Sequence, residues 1–277
     1  MSPDVNSVDL LERPASAGIQ SIENGTPVLR ALVQAKGAMT LTAIAAACGM
    51  APGKAHKYLA SYIRTGLVVQ NESGGRYDLG PFALELGVAA MRRINVMELA
   101  QPALDDLRDL LGNTVSLAIW GNHGPTIMRI AETPDLMSLT VRFGTVMPLL
   151  TTAFGRIFAA FLDRRLTQEL MQAELDDPSG VAAQSGLTSL ADVEAMLAPF
   201  RARRMSIAEN LSAPNRAALA APVFDHNNRM IAAIALVSMQ GRLDLHWDGR
   251  PAQELARAAT KLSLRLGAAP DLVGETR

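Results

Sequence analysis

The chain has 277 residues, 49% of them apolar and 19% charged, and a formal net charge of −1. This is an ordinary folded-protein composition at a length that suggests two domains. The single cysteine, Cys48, excludes an intramolecular disulfide and leaves too few thiolates for a structural zinc site, as expected of a protein of the reducing cytoplasm. No apolar run approaches the roughly 20 residues that span a bilayer and no basic-then-apolar leader is seen, so neither export nor a membrane partner is expected.

The charge balance also excludes a protein that coats nucleic acid indiscriminately, so any DNA contact must be local. Residues 1–80 hold seven Lys or Arg against six acids, but residues 50–66 carry Lys54, Lys57 and Arg64 with no acid at all. That is the footprint of one helix meeting a phosphate backbone.

Residues 1–20 lack periodicity and read as an N-terminal arm. Val28, Leu29, Leu32 and Val33 recur at helical spacing and predict a helix from Ile22 to Gln34, ended by Gly37. Thr40 is the expected N-cap of a second helix with Leu41, Ile44, Ala45 and Cys48 inward, closed by Gly49. Pro52 suits the first turn of a third helix, with Ala55, Leu59 and Ile63 on its buried face. Leu67–Gln70 and Arg76–Leu79 then read as strands around a Glu72-Ser73-Gly74-Gly75 turn.

Residues 21–81 thus have the layout of a winged helix-turn-helix, whose third helix fits a major groove. His56 and Lys57 are the leading base-facing candidates. Thr40, Gly53, Lys54, Ser61 and Arg64 complete the DNA-facing set, and Arg76 sits where a wing touches phosphate.

Residues 82–95 read as a linker helix, with Leu84, Val88 and Met91 spaced to pack on a partner chain. From residue 96 to 270 a second domain is expected, followed by a tail at 271–277. It opens with a helix over Val96–Leu111. Strands follow at Val115–Trp120 and Thr126–Ala131, flanking a Gly121–Gly124 turn, and then at Ser138–Phe143 and Val146–Leu150. Thr152 caps a helix from Ala153 to Leu162, and two more helices follow Thr167 and Ser189, the latter with a capping box completed by Asp192. Leu219–Phe224 and Ile231–Val237 are strands, and a last helix carries Leu255, Ala258, Ala259, Leu262 and Leu266 as one stripe, ended by Gly267.

Catalytic chemistry finds little support. His123, His226 and His246 fall in turns without partners at metal-ligand spacing. There is no nucleophile elbow or phosphate loop, and the adjacent pair Asp176-Asp177 reads as solvated. No catalytic residue, metal or cofactor is expected. A ligand site is better supported, because the amides of Ala153, Phe154 and Gly155 at a helix start have no intrahelical acceptor and suit a carboxylate.

The run Gly49-Met50 through His56-Lys57, then Thr65-Gly66-Leu67-Val68, then Gly75-Arg76-Tyr77-Asp78-Leu79-Gly80-Pro81 with Leu84-Glu85-Leu86-Gly87 resembles the IclR family of bacterial transcriptional regulators. The resemblance resumes at Met147–Arg156 and at Ala220–Asp225. It implies an α+β protein: an N-terminal winged helix-turn-helix, a linker helix, and a GAF-like effector domain with a curved antiparallel sheet flanked by helices. It further implies double-stranded operator DNA and a small-molecule effector as partners, and self-association as a homodimer or dimer of dimers.

On the same resemblance, Gly53 and Lys54 replace small hydroxyl residues of the recognition helix, so the operator need not follow the family's pattern. In the effector domain Leu150 stands where many members carry histidine, Arg156 where lysine is usual, Ala218 in place of a cysteine, and Ala235 and Val237 in place of two serines. These changes remove hydrogen-bonding groups and predict an aromatic or otherwise hydrophobic carboxylate as effector. The expected cavity set is Trp120, Met128, Leu139, Leu150, Thr151, Thr152, Ala153, Phe154, Gly155, Ala218, Ala235 and Val237, with core packing the alternative for Trp120, Met128, Leu139 and Phe154. The alternative function is a winged-helix protein-interaction adaptor without sequence-specific DNA binding.

Overall fold

A computed structural model of the chain describes residues 18–35, 37–71, 75–93, 95–133, 142–178, 180–211 and 213–270. The expected arm up to residue 17, most of the wing turn, residues 138–141 of one expected strand, including Leu139, and the tail lie outside the described residues. The chain divides into two compact units, Met1–Arg93 and Ile94–Arg277.

The first unit runs α1 (Gln20–Gln34), α2 (Leu41–Ala47), α3 (Pro52–Arg64), β1 (Val68–Gln70), β2 (Tyr77–Leu79) and α4 (Pro81–Arg93). Thr40 caps α2, its hydroxyl accepting from the Ala43 amide at 3.3 Å, and Pro52 opens α3. Val28, Leu32, Ile44, Leu59, Val68 and Tyr77 form the core. Helix α1 passes α3 at Gly25, where a Cβ would collide with Tyr58 and Tyr62.

That notch corrects the expected face of α3. The inward stripe is Ala55, Tyr58, Leu59 and Tyr62, with the two tyrosine rings stacked at 6.5 Å, while Ile63 is 38% exposed. Two large rings seated against a glycine bury more area than one isoleucine, so they set the helix rotation. Cys48 ends α2, is half-buried and packs against this core, as expected.

Strands β1 and β2 pair antiparallel, Val68 with Leu79 and Gln70 with Tyr77. Tyr77 also exchanges backbone bonds with Met39, at 2.9 and 2.8 Å, tying the wing to the residue before the α2 cap. On α4, Leu84 is 70% exposed and Val88 half-buried.

The second unit holds α5 (Val96–Leu111), β3 (Thr114–Gly121), β4 (Gly124–Ala131), α6 (Ala153–Phe161), α7 (Arg164–Asp176), α8 (Val181–Gln184), α9 (Leu190–Arg203), β5 (Ser206–Glu209), β6 (Arg216–Phe224), β7 (Met230–Met239) and α10 (Arg250–Arg265). Its five strands form one antiparallel sheet in the order β4-β3-β7-β6-β5. Period-two alternation sorts the sheet into two cores. Val115, Leu117, Leu219, Ala221, Ile234 and Leu236 face α5 and α10, while Ala118, Ala220, Ala233 and Ala235 face α6. Alanines on that second face let α6 lie close to the sheet, where the Ser206 hydroxyl donates to the Ala153 carbonyl at 2.6 Å.

Three expectations need correction. Val146–Leu150 is not a strand: Val146 makes one bridge to Thr126, and Leu149-Leu150 turn; Phe143 too lies in a turn. Helix α7 starts at Arg164 rather than after Thr167, because the Asp163 carboxylate takes the Arg165 amide at 2.9 Å and Thr167 is buried within the helix. Finally, α8 and β5 carry no sequence signal of their own; each spans only four residues, too few for a period to register.

Candidate functional site

The outer side of α3 presents five of the eight expected DNA-facing residues. Gly53, Lys54, His56, Lys57 and Arg64 are exposed, opposite the buried stripe. Ser61 is half-buried and turned into the helix, donating to the Lys57 carbonyl at 3.1 Å and accepting from Arg64 at 3.4 Å. Thr40 is exposed, but its hydroxyl is engaged by the α2 cap. Arg76 is exposed and reaches back to the Ala38 carbonyl at 3.5 Å.

In the second unit a cavity of about 420 Å³ opens between the sheet, the segment before α6 and the α6 N-terminus. Thr151, Thr152, Ala153 and Phe154 wall it on the helix side, and Ala218, Ala235 and Val237 form part of its floor. These are seven of the twelve expected residues. Capping distinguishes the three amides: Gly155 donates to the Thr152 hydroxyl at 2.9 Å, whereas those of Ala153 and Phe154 have no acceptor among the described residues.

Four expected residues sit elsewhere. Trp120 packs on Phe158, ring centroids 5.9 Å apart, and Leu150 is buried in the core beneath its turn. Gly155 lies against the Pro148 and Leu149 backbone. Met128 falls at the bulge where Leu117 pairs with Arg129 but Ala118 with Ile127. The extra residue turns out of the pleat and joins a shallow surface hollow with Arg129 and Arg142.

Sequence reasoning missed the polar floor. Ser116 lies directly opposite Ala235, and Thr114 opposite Val237; both line the cavity. The hydroxyls absent from β7 are supplied one strand over, a relation that only the strand register reveals. Thr114 is bonded to Thr133. The hydroxyls of Ser116 (2% exposed) and Thr151 (3% exposed) have no hydrogen-bond partner among the described residues. Asn210 and Arg216 add polar groups at the β5–β6 end. Burial lowers the Arg156 pKa to about 10, a value that leaves its guanidinium charged at neutral pH.

Among the described residues no three His, Cys, Asp or Glu side chains gather as a metal site, and no helix is long and apolar enough to cross a membrane. His123, His226 and His246 are exposed.

A three-helix unit with a two-stranded wing, joined in sequence to a sheet domain with a cavity whose floor mixes apolar and hydroxyl side chains, defines the class of helix-turn-helix regulators with a separate sensing domain. The family models agree. The IclR helix-turn-helix domain matches residues 21–72, and the bacterial transcriptional regulator IclR C-terminal domain matches residues 88–264. The chain is 32% identical to the glycerol operon regulatory protein of Streptomyces griseus, over 90% of this chain and 97% of that protein. The crystal structure of Pseudomonas aeruginosa HmgR superposes with a TM-score of 0.81 at 34% identity, covering 90% of this chain and 99% of that one. An IclR homologue from Microbacterium hydrocarbonoxydans, complexed with 4-hydroxybenzoate, shares the fold with a TM-score of 0.54 at 17% identity, covering 90% and 100% of the two chains.

The chain belongs to the IclR family of bacterial transcriptional regulators, and its first unit contains the family's DNA-binding helix-turn-helix.

Proposed function

We propose that this regulator controls a catabolic operon as a homodimer or dimer of dimers, and that its second unit senses a small carboxylate with an aromatic or hydrophobic body. The observation that carries this reading is the cavity itself. Apolar walls meet two unpartnered hydroxyls and two unpaired amides at the start of α6, a setting that favours an anionic head group on an apolar frame. Its 420 Å³ is roomy for a single ring, since an apolar cavity of about 150 Å³ already holds benzene. The 4-hydroxybenzoate found in the Microbacterium homologue is a ligand of this chemical type.

Calorimetric titration of the full chain with phenylacetate, 4-hydroxybenzoate, glyoxylate and glycerol tests the effector class. Binding of the ring acids supports it; binding of glyoxylate or glycerol alone overturns it. Ala218→Phe, which fills the floor with a ring, is expected to abolish binding of the ring acids in the same titration while leaving operator affinity unchanged.

For the DNA face, we propose that Gly53, Lys54, His56 and Lys57 approach the groove and that Arg64 and Arg76 meet phosphate. Lys57→Ala with Arg76→Ala is expected to weaken operator binding and to flatten its salt dependence by about 0.9 in log–log slope for each phosphate that is no longer neutralised. A gel-shift series over salt concentration measures this, and ring-acid affinity is expected to stay as in the wild type. In a dimer the exposed Leu84 on α4 is available to a second copy, and paired α3 helices then meet half-sites about one helical turn apart or a multiple of it.

A further inference from the structure

The turn that leads into the cavity wall is gripped from two sides by opposite charges. The Glu174 carboxylate, from α7, accepts the Leu149 amide at 2.5 Å and the Leu150 amide at 2.9 Å. The Arg156 guanidinium, from α6, donates Nε to the Leu150 carbonyl at 2.9 Å and Nη1 to the Ile207 carbonyl of β5 at 2.6 Å. Neither side chain has an ion-pair partner among the described residues.

Both groups are largely buried, and burial raises the Glu174 pKa and lowers that of Arg156. Taking two charges out of water costs several kcal/mol each by general estimate, and pairing them directly would be the usual remedy. Here each is instead spent on backbone. The Leu150 carbonyl belongs to the same trans peptide as the Thr151 N–H, and the two point in opposite directions. A guanidinium on the carbonyl therefore both aims and polarises that N–H. The Thr151 amide has no acceptor among the described residues, and Thr151 lines the cavity.

We propose that Arg156 and Glu174 are paired positioning residues for an anion site in this cavity, holding the Thr151 amide in line with those of Ala153 and Phe154 before a carboxylate arrives. The proposal rests on the effector reading given above. It adds the device that makes the donors ready, so that little ordering remains to be done on binding. A turn held only for stability needs neither charge, since neutral amides or hydroxyls satisfy the same backbone groups.

The test uses the full chain labelled with 15N-leucine and 15N-threonine, titrated with phenylacetate and with its neutral counterpart phenylacetamide. Arg156→Met and Glu174→Gln are expected to weaken phenylacetate by about tenfold or more, with phenylacetamide unchanged and Arg156→Lys retaining most of the acid affinity. Arg156→Met is also expected to move the Thr151 amide resonance, and Glu174→Gln those of Leu149 and Leu150, with other labelled resonances in place. Equal weakening of acid and amide, or unmoved Thr151 and leucine resonances, overturns the proposal. If the wild-type chain binds neither compound, the effector reading fails separately. The resonances then still decide the brace: movement upholds it as a device of the turn, and an unmoved Thr151 amide removes it.

Discussion

Gly155→Ala is expected to destabilise the second unit by about 3 kcal/mol, the upper part of the usual range for overpacking, and to abolish ring-acid binding. The sign runs against helix propensity. In an open helix, glycine to alanine gains about 1 kcal/mol through the lower entropy of the unfolded chain. At Gly155, however, the added Cβ would overlap the Pro148 carbonyl oxygen and the Leu149 backbone, and neither can rotate away as a side chain can. The turn would have to separate from α6. That movement breaks the Thr152 bond to the Gly155 amide and pulls Thr151 and Thr152 out of the cavity wall. Gly53→Ala is the matched control, because nothing lies within 4 Å of a Cβ at that α3 position. It is expected to stabilise the first unit by roughly 0.5–1 kcal/mol. Chemical denaturation of both variants, followed by calorimetry with phenylacetate, checks the opposite signs.

The contrast between those glycines shows where the sequence speaks and where it does not. Both lie in helices that spacing and capping residues already reveal: Thr40 before α2, Pro52 at the start of α3, Thr152 before α6 and Ser189 before α9 each carry a local signal that needs no tertiary knowledge. What lies close to a glycine is a tertiary fact. The rotation of α3 is another, decided by Tyr58 and Tyr62 fitting against Gly25 on a helix roughly 35 positions earlier.

The cavity divides along the same line. Thr151 to Phe154 are legible because a helix N-terminus is a local feature. Ser116 is not, since its place opposite Ala235 follows from the pairing of β3 with β7, strands separated by more than a hundred positions. Met128 leaves the expected wall because a single bulge inverts the inside-outside pattern beyond it. Glu174 is hidden for a related reason: a carboxylate on an amphipathic helix reads as solvated until the turn it holds is known.

Leu59→Ala is expected to cost the first unit about 3 kcal/mol, within the roughly 2–5 kcal/mol typical of truncating a buried leucine, and to remove operator binding altogether. Leu59 is fully buried at the centre of α3, in a core with only six buried side chains larger than alanine among the described residues. A unit of this size buries a smaller fraction of its surface than a larger domain does and has little stability in reserve. The same truncation in the second unit, with two clusters on either face of its sheet, meets more surrounding structure. Truncation at Leu59 also frees α3 to shift against α1 and α2, and a helix displaced by a fraction of a turn no longer holds Lys54, His56 and Lys57 in the arrangement proposed to meet a groove. Gel-shift at low salt reads the DNA loss, and calorimetry with phenylacetate reads the second unit. Loss of DNA binding with ring-acid affinity unchanged is the expected pair of results. A simultaneous loss of both would mean that the two units unfold as one, and the division of the chain at residues 93 and 94 would then not be a division in stability.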